Sequence, residues 1–313
     1  MLLYLVPKFI PIILLLLIGI VIKRTNFMSE LSINELKKFV VNISLPALLF
    51  FSFLNTSFQY KYIVIILIIF GLNILMLGIG RLLKILLKID NKYFTIMFTG
   101  FEMGMLGFSL YGSVYGPENI SYIGVLDLGQ EIFVWFILTS ILLSFQNTTI
   151  NIKSSVKNFI SSPVIIAIFL GIVLNICGLS DYLTKNIFLS GFISTLSMIS
   201  QVTIPFILVI IGYQLNLHFS KLYLPLITIV CRICIMIILG ILINSLVFNN
   251  LLHLERKFSI ALFTLLILPP PFIIPLFMKY NQTELDEYVG NTLSLGTIFT
   301  IIGFFGLVII FSL

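Results

Sequence analysis

The chain is a series of long apolar runs separated by short polar stretches. Ten of the runs are long enough to cross a bilayer core of about 30 Å as helices that rise about 1.5 Å per residue. In chain order, spans 1 to 10 cover residues 5–22, 39–54, 62–83, 93–115, 120–143, 159–177, 188–214, 222–248, 258–280 and 288–313. This pattern predicts an all-α polytopic membrane protein with ten transmembrane helices and no inserted soluble domain.

The composition narrows the class of protein further. Of the 313 residues, 59% are hydrophobic and only 10% are charged, whereas soluble globular proteins carry about 25% charged residues. Such a chain excludes a soluble enzyme, a secreted disulfide scaffold and a disordered protein. The net charge of +6 would also suit a nucleic-acid-binding protein. However, the basic residues form short clusters between the apolar runs, which indicates a lipid bilayer, and no nucleic acid, as the partner.

The distribution of basic residues predicts the orientation in the membrane. With ten spans, twelve of the 18 Lys and Arg residues fall in loops on the side reached after span 1, and five fall on the side of the N-terminus. Because cytoplasmic loops carry the excess of Lys and Arg, both termini are expected to be extracytoplasmic. The expected location is the cell membrane, with the polar linker 147–158 in the cytoplasm.

The two halves of the chain resemble each other. Residues 42–49 of span 2, which include Asn42 and Pro46, match residues 201–208 of span 7, which include Pro205. A second match, between spans 5 and 10, has a similar offset, although apolar sequences also match by chance. A repeat of five spans is odd-numbered, so its second copy must be inverted in the membrane. The predicted division is a first repeat over 1–146, the linker 147–158, and a second repeat over 159–313.

Span 9 contains three consecutive prolines near its middle. Pro269, Pro270 and Pro271 lack amide donors, and each ring clashes with the carbonyl four residues earlier. An uninterrupted helix is therefore excluded, and span 9 is expected to be broken at this point.

Span 4 is the expected counterpart of span 9 in the first repeat. Gly100, Gly104 and Gly107 either allow the helix to unwind or allow another helix to pack closely. Ser109 lies 160 residues before Pro269, which places the predicted break of span 4 opposite the prolines. Broken helices at equivalent positions of an inverted repeat indicate a substrate site at the membrane midplane, where free carbonyls bind cations and half-helix N-termini bind anions.

Four charged residues, Glu102, Asp127, Glu131 and Arg232, lie well inside apolar spans, where each costs about 2.5–3.5 kcal/mol at mid-helix. Glu102 lies beside the expected break of span 4 and is the first candidate for a proton-coupling or substrate-coupling carboxylate. Asp127, Gln130 and Glu131 share one face of span 5, which we expect to face the site, although Asp127 is close to the start of its span. Arg232 in span 8 contacts an anionic substrate or neutralises an internal carboxylate, and we favour the second, structural role.

The residues also resemble a known family. The segments 42–50, 100–109 and 202–206, together with Tyr115-Gly116, Gly212 and the prolines of span 9, are similar to the auxin efflux carrier family along the whole chain. This family includes plant PIN-type auxin carriers and bacterial malate or malonate permeases.

The resemblance implies an inverted-repeat fold shared with bile-acid sodium symporters, in which spans 4 and 9 cross beside the binding site. It also implies an organic anion as substrate, an elevator-like movement of one helix bundle, and often a homodimer. The chain departs from the family pattern at Glu102, where Asn is usual, and at Ser109, where Pro is usual. Because a carboxylate repels an anion unless it is protonated, the first departure is consistent with proton coupling or with a less anionic solute.

The sequence therefore predicts a secondary active transporter of a small organic solute, a carboxylate, coupled to H⁺. A channel and a Na⁺-coupled permease for another solute are the alternatives. No phosphate-binding Gly-rich motif of an ATP motor occurs. No metal site, cofactor or enzymatic activity is expected, because no cluster of metal ligands occurs and His218 and His253 lie in loops on opposite sides.

Overall fold

The computed structural model describes residues 2–56, 59–146, 152–179, 182–183, 186–214, 221–278 and 283–312. Every regular element in these ranges is helical. The α-helices are Leu2–Arg24, Glu30–Phe39, Leu45–Leu54, Lys61–Leu86, Phe108–Tyr115, Ile120–Phe133, Thr139–Ser144, Ile152–Ile160, Pro163–Ile176, Ile187–Gln201, Thr203–Gln214, Tyr223–Leu242, Arg256–Leu266 and Thr283–Ser312. The 3₁₀ turns are Ile96–Phe98, Pro117–Asn119 and Ile274–Phe277, and the π-helical segments are Val40–Ser44, Met103–Gly107, Val134–Leu138 and Ile243–Leu251.

Among the described residues, six helices are long and apolar enough to cross a membrane, and they correspond to spans 2, 3, 5, 7, 8 and 10. They are Glu30–Leu54, Lys61–Leu86, Pro117–Ser144, Leu189–Gln214, Tyr223–Leu251 and Glu284–Phe311. A helix pair bent by 60°, Lys153–Ile160 with Pro163–Ile176, would make a seventh.

Spans 1, 4 and 9 correspond to none of these six helices and not to the bent pair. Span 1 forms one helix of 23 residues, Leu2–Arg24, and spans 4 and 9 are interrupted. The protein is thus an all-helical membrane protein, while the count of ten spans and the inverted repeat stay predictions.

The chain divides into two compact units that do not follow the predicted halves. The first unit consists of Met1–Tyr62, Gly104–Gly124 and Ile160–Leu215, and the second of Ile63–Met103, Val125–Phe159 and Asn216–Leu313. Each unit draws segments from both halves. The units therefore leave the proposed duplication, a relationship within the sequence, untested. Residues 147–151 of the predicted linker lie outside the described residues.

Helices of the first unit pack with their backbones in close contact. A Cβ atom at Gly19 would overlap the carbonyl of Val209, and one at Gly212 would overlap the carbonyl of Leu16. Close approach of this kind is typical of membrane helices, because lipid gives apolar side chains little reason to associate and dispersion contacts between backbones matter more. Glycine at these two positions lets helices Leu2–Arg24 and Thr203–Gln214 lie against each other.

Within the second unit, residues 89–91, Lys221 and the first turns of helices Tyr223–Leu242 and Thr283–Ser312 line one cavity. The cavity has a volume of about 400 Å³ and is lined by Asp90, Lys221 and Glu284 among others. Lys221 Nζ donates a hydrogen bond of 3.0 Å to Glu284 Oε1, and this bond raises the pKa of Lys221.

Candidate functional site

The interruption of span 4 occupies residues 99–102, which form no regular helix. It follows the 3₁₀ turn Ile96–Phe98 and precedes the π-helical segment Met103–Gly107. Gly100 has φ +66°, a left-handed conformation that residues with a Cβ rarely adopt. A Cβ at this position would also overlap the ring of Pro271. Gly100 is thus required both by the backbone angle and by the neighbour that packs against it.

This position corrects the break predicted from Ser109. Ser109 lies in helix Phe108–Tyr115, and its hydroxyl donates to the carbonyl of Met105 at 2.7 Å within the same stretch. Gly104 and Gly107 belong to the π-helical segment. The break therefore falls at Gly100 to Glu102 because only there do a positive φ and a packed proline exclude a helix. Gly104, Gly107 and Ser109 belong to the first compact unit, whereas Glu102 belongs to the second.

Two side chains satisfy the backbone groups that this interruption leaves without helical partners. Asn73, on helix Lys61–Leu86, accepts a hydrogen bond of 2.7 Å from the Gly100 amide. Gln130 pairs with both polar groups of Phe101, since its Oε1 accepts from the Phe101 amide and its Nε2 donates to the Phe101 carbonyl, each at 2.6 Å. A buried backbone group without a partner costs about 1–3 kcal/mol. Asn73 and Gln130 therefore hold the unwound segment in place.

The interruption of span 9 is built differently. Helix Arg256–Leu266 ends just before the three prolines, and a 3₁₀ turn, Ile274–Phe277, follows them. Pro269, Pro270 and Pro271 are buried and have no amide donors to satisfy. The first amide after them is that of Phe272, which donates to Glu102 Oε2 at 2.6 Å.

The two interruptions are hydrogen-bonded to each other through Glu102. Its amide donates to the carbonyl of Pro269 at 3.0 Å, and its carboxylate accepts from the amide of Phe272. Glu102 has only 8% of its surface exposed. Its carboxylate lies just after the prolines of span 9, where the Phe272 amide is its donor. The predicted coupling residue thus lies at the meeting point of the two interruptions.

Arg232 approaches the same interruptions from span 8 and binds carbonyl oxygens. Its Nη1 donates to Met97 O at 2.9 Å and to Thr99 O at 3.4 Å, and its Nη2 donates to Gly100 O and, at 3.4 Å, to Leu268 O. We expected a substrate contact or an ion pair with an internal carboxylate. The ion pairs among the described residues do not include Arg232. The partners of Arg232 are therefore main-chain carbonyls beside the two interruptions, and its structural role stays a prediction.

Two further carboxyl groups of span 5 lie within electrostatic range of Glu102. Asp127 interacts with both Glu131 and Glu102, and Glu131 interacts with Glu102. Asp127 is 2% exposed, and its Oδ1 has no hydrogen-bond partner among the described residues. Glu131 Oε2 accepts a hydrogen bond of 2.8 Å from the indole of Trp135. Asp127, Gln130 and Glu131 therefore lie near the interruption of span 4, and their part in a binding site stays a prediction.

The remaining candidates lie in the first compact unit. The side chain of Asn42 donates to the carbonyl of Lys38 at 2.8 Å, a local bond within its own helix. Pro46 is buried in the first turn of helix Leu45–Leu54, where proline is well accommodated. Pro205 is half-buried near the start of helix Thr203–Gln214. Pro46 and Pro205 thus lie in the first turns of helices, and the supporting role of all three residues in a binding site stays a prediction.

Sequence reasoning missed two partners of the interruptions. Asn73 is fully buried in span 3, and Thr300 in span 10 donates from its hydroxyl to the carbonyl of Ile267. A lone side-chain amide inside an apolar run needs a hydrogen-bond partner to offset its desolvation, so the sequence alone could have identified Asn73 as a candidate. Thr300 could not have been identified from the sequence, because hydroxyl groups in membrane helices commonly donate to a carbonyl of their own helix. Among the described residues, no group of three or more His, Cys, Asp or Glu side chains is arranged to hold a metal ion.

The fold and the site together define a membrane protein whose polar groups converge where two of its spans are interrupted. Residues 4–302 match the model of a family described as membrane transport protein. The chain belongs to this family, which is the auxin efflux carrier family suggested by the motifs. No curated protein matches the chain closely enough to count as a relative. The protein is therefore a multi-pass membrane transporter of a family that consists of transporters and not of enzymes.

Proposed function

We propose that the protein is a secondary active transporter that moves a small organic carboxylate together with a proton. The observation that carries this proposal is the 2.6 Å hydrogen bond from the Phe272 amide to the Glu102 carboxylate. In the structure this amide, a single backbone donor just after the prolines of span 9, is bonded to a carboxylate of the protein itself. A carboxylate of the solute competes for the same donor.

Protonation of Glu102 is the step that gives the solute access. An ionised carboxylate is a strong acceptor of the Phe272 amide and repels a second anion, whereas a neutral carboxyl is a weaker acceptor and does not repel. A proton on Glu102 therefore releases the donor to the solute carboxylate. Because the proton and a monocarboxylate carry opposite charges, the loaded site gains no net charge, which lowers the energy of carrying both across the membrane.

Asp127 and Glu131 are the groups through which we propose that the proton reaches Glu102. Both interact electrostatically with Glu102 and lie on one helix face, and chains of carboxyl groups inside membranes are typical of proton relays. Their spacing of four residues places them one helical turn apart. The unit that carries the interruptions is the proposed moving body of an elevator, and a homodimer is the proposed assembly, as the family resemblance implies.

The test begins with a search for the solute. Purified protein is screened by thermal shift against mono- and dicarboxylates over a range of pH, in sodium or choline buffers. Uptake of the carboxylate that stabilises the protein is then measured in proteoliposomes with an imposed pH gradient or an imposed Na⁺ gradient. We expect saturable uptake that is driven by a pH gradient with the acidic side outside.

Glu102→Gln separates coupling from transport itself. The variant keeps an acceptor for the Phe272 amide but cannot bind and release a proton, so we expect it to lose pH-driven uptake and to keep part of the exchange of preloaded solute. Glu118→Gln, at an exposed position, is the matched control and is expected to behave as the unaltered protein. An unchanged pH profile in Glu102→Gln contradicts the coupling. Uptake without saturation or counterflow identifies a channel, and uptake driven only by Na⁺ identifies a sodium-coupled permease.

A further inference from the structure

We infer that Arg232 is a built-in cation, whose guanidinium fills a cradle of main-chain carbonyls suited to Na⁺ and makes the transporter independent of Na⁺. The inference deepens the proposed function, on which its statement about coupling rests. The cradle itself is a property of the folded protein. It can be tested without knowing the solute.

The cradle is formed by both interruptions. Four carbonyl oxygens, those of Met97, Thr99, Gly100 and Leu268, accept hydrogen bonds from the two terminal nitrogens of Arg232. Oxygen atoms are the ligands that hard cations prefer, and carbonyls at unwound points of membrane helices are groups that coordinate Na⁺ in transporters. The guanidinium therefore takes up the oxygens that would otherwise be available to a metal cation.

The charge of Arg232 is committed to this cradle. The residue is 1% exposed, and the ring of Phe101 covers it with a centroid 5.1 Å from the guanidinium carbon. A guanidinium keeps its proton in proteins, so the positive charge is permanent. A second cation at the same oxygens would meet both steric overlap and like-charge repulsion.

Arg232→Ala empties the cradle without altering its oxygens. Full-length protein in lipid nanodiscs is unfolded by heat in millimolar choline, sodium or guanidinium chloride. We expect Na⁺ or guanidinium to raise the Tm of the variant by about 2–4 °C relative to choline. The unaltered protein is expected to show the same Tm in Na⁺ and choline.

Arg256→Ala is the matched control. Arg256 also donates to one main-chain carbonyl, Phe311 O at 2.8 Å, but it is exposed. Its loss leaves no enclosed set of carbonyls, so none of the three salts is expected to restore its stability selectively. A rescue equal to that of Arg232→Ala would show a general effect of the salt and would overturn the inference.

Two results on the cradle itself also overturn the inference. One is a folded Arg232→Ala variant that neither Na⁺ nor guanidinium stabilises, and the other is unaltered protein whose Tm rises in Na⁺ over choline. If Arg232→Ala does not fold, the comparison of Na⁺ with choline on the unaltered protein still decides. If the unaltered protein has the same Tm and the same rate of uptake in Na⁺ as in choline, the inference is supported. Because these readouts do not involve Glu102, a failed cradle leaves proton coupling standing, and an unchanged pH profile in Glu102→Gln leaves the cradle standing.

Discussion

Spans 4 and 9 are both interrupted, but one interruption is made with glycine and the other with proline. In span 4, Gly100 turns the backbone at φ +66°, and the amides of Gly100 and Phe101 remain as donors that need partners. In span 9, three prolines have no amide donors, so the interruption creates fewer unsatisfied groups. The interruption of span 4 thus needs more hydrogen-bond partners from the surrounding protein than the interruption of span 9.

The difference shows which interruption depends on its neighbours. The segment of span 4 is held by Asn73 and Gln130 from other helices, so it is a tertiary feature. The segment of span 9 is enforced by its own residues, because proline blocks the helix wherever it occurs in the chain. Stability should therefore be more sensitive to changes around the glycine interruption than to the loss of a single proline.

The largest effect is expected for Gly100→Ala. The left-handed conformation costs a residue with a Cβ about 1–2 kcal/mol, and displacing the Pro271 ring adds about 1–3 kcal/mol. Together they predict a loss of about 2–5 kcal/mol in the free energy of unfolding, measured as a lower Tm of the purified protein. The matched control is Gly78→Ala in an exposed part of helix Lys61–Leu86, where a Cβ meets nothing within 4 Å. A Gly100→Ala protein as stable as this control would contradict the assigned backbone conformation.

Gln130→Leu is expected to have the next largest effect. Leucine fills similar space but leaves the buried amide and carbonyl of Phe101 without partners, which predicts a loss of about 2–3 kcal/mol. Thermal unfolding measures the loss, with Gln201→Leu at an exposed helix end as the control. Equal Tm values for the two variants would mean that Gln130 does not hold the interruption.

Pro270→Ala is expected to have the smallest effect of the three. The substitution adds one buried amide and increases the freedom of the unfolded chain, which predicts a loss of about 1–2 kcal/mol, while the two neighbouring prolines still prevent a helix. Pro275→Ala, at an exposed position, is the control and should change the Tm little. A larger loss for Pro270→Ala than for Gly100→Ala would reverse the comparison between the two interruptions.

The features that local chemistry dictates could be predicted from the sequence. Apolar runs set the positions of the six long helices, the prolines set the break of span 9, and a spacing of three and four residues set the shared face of Asp127, Gln130 and Glu131. The break of span 4 could not be placed, because three glycines permit it equally. Only the packing of Pro271 against Gly100 excludes a Cβ and selects that position.

By itself, the sequence determined the membrane class and the family, and it singled out Glu102 as the carboxylate on which the proposed function depends. These conclusions follow from the composition, the order of the residues and their chemical type, none of which depends on how the chain folds. The tertiary structure decided the partners. It turned Arg232 toward carbonyls instead of a carboxylate, and it joined Glu102 to the amide of Phe272, 170 residues further along the chain. Hydrogen bonds act over about 3 Å, so residues this far apart in the chain become partners only when folding brings them together.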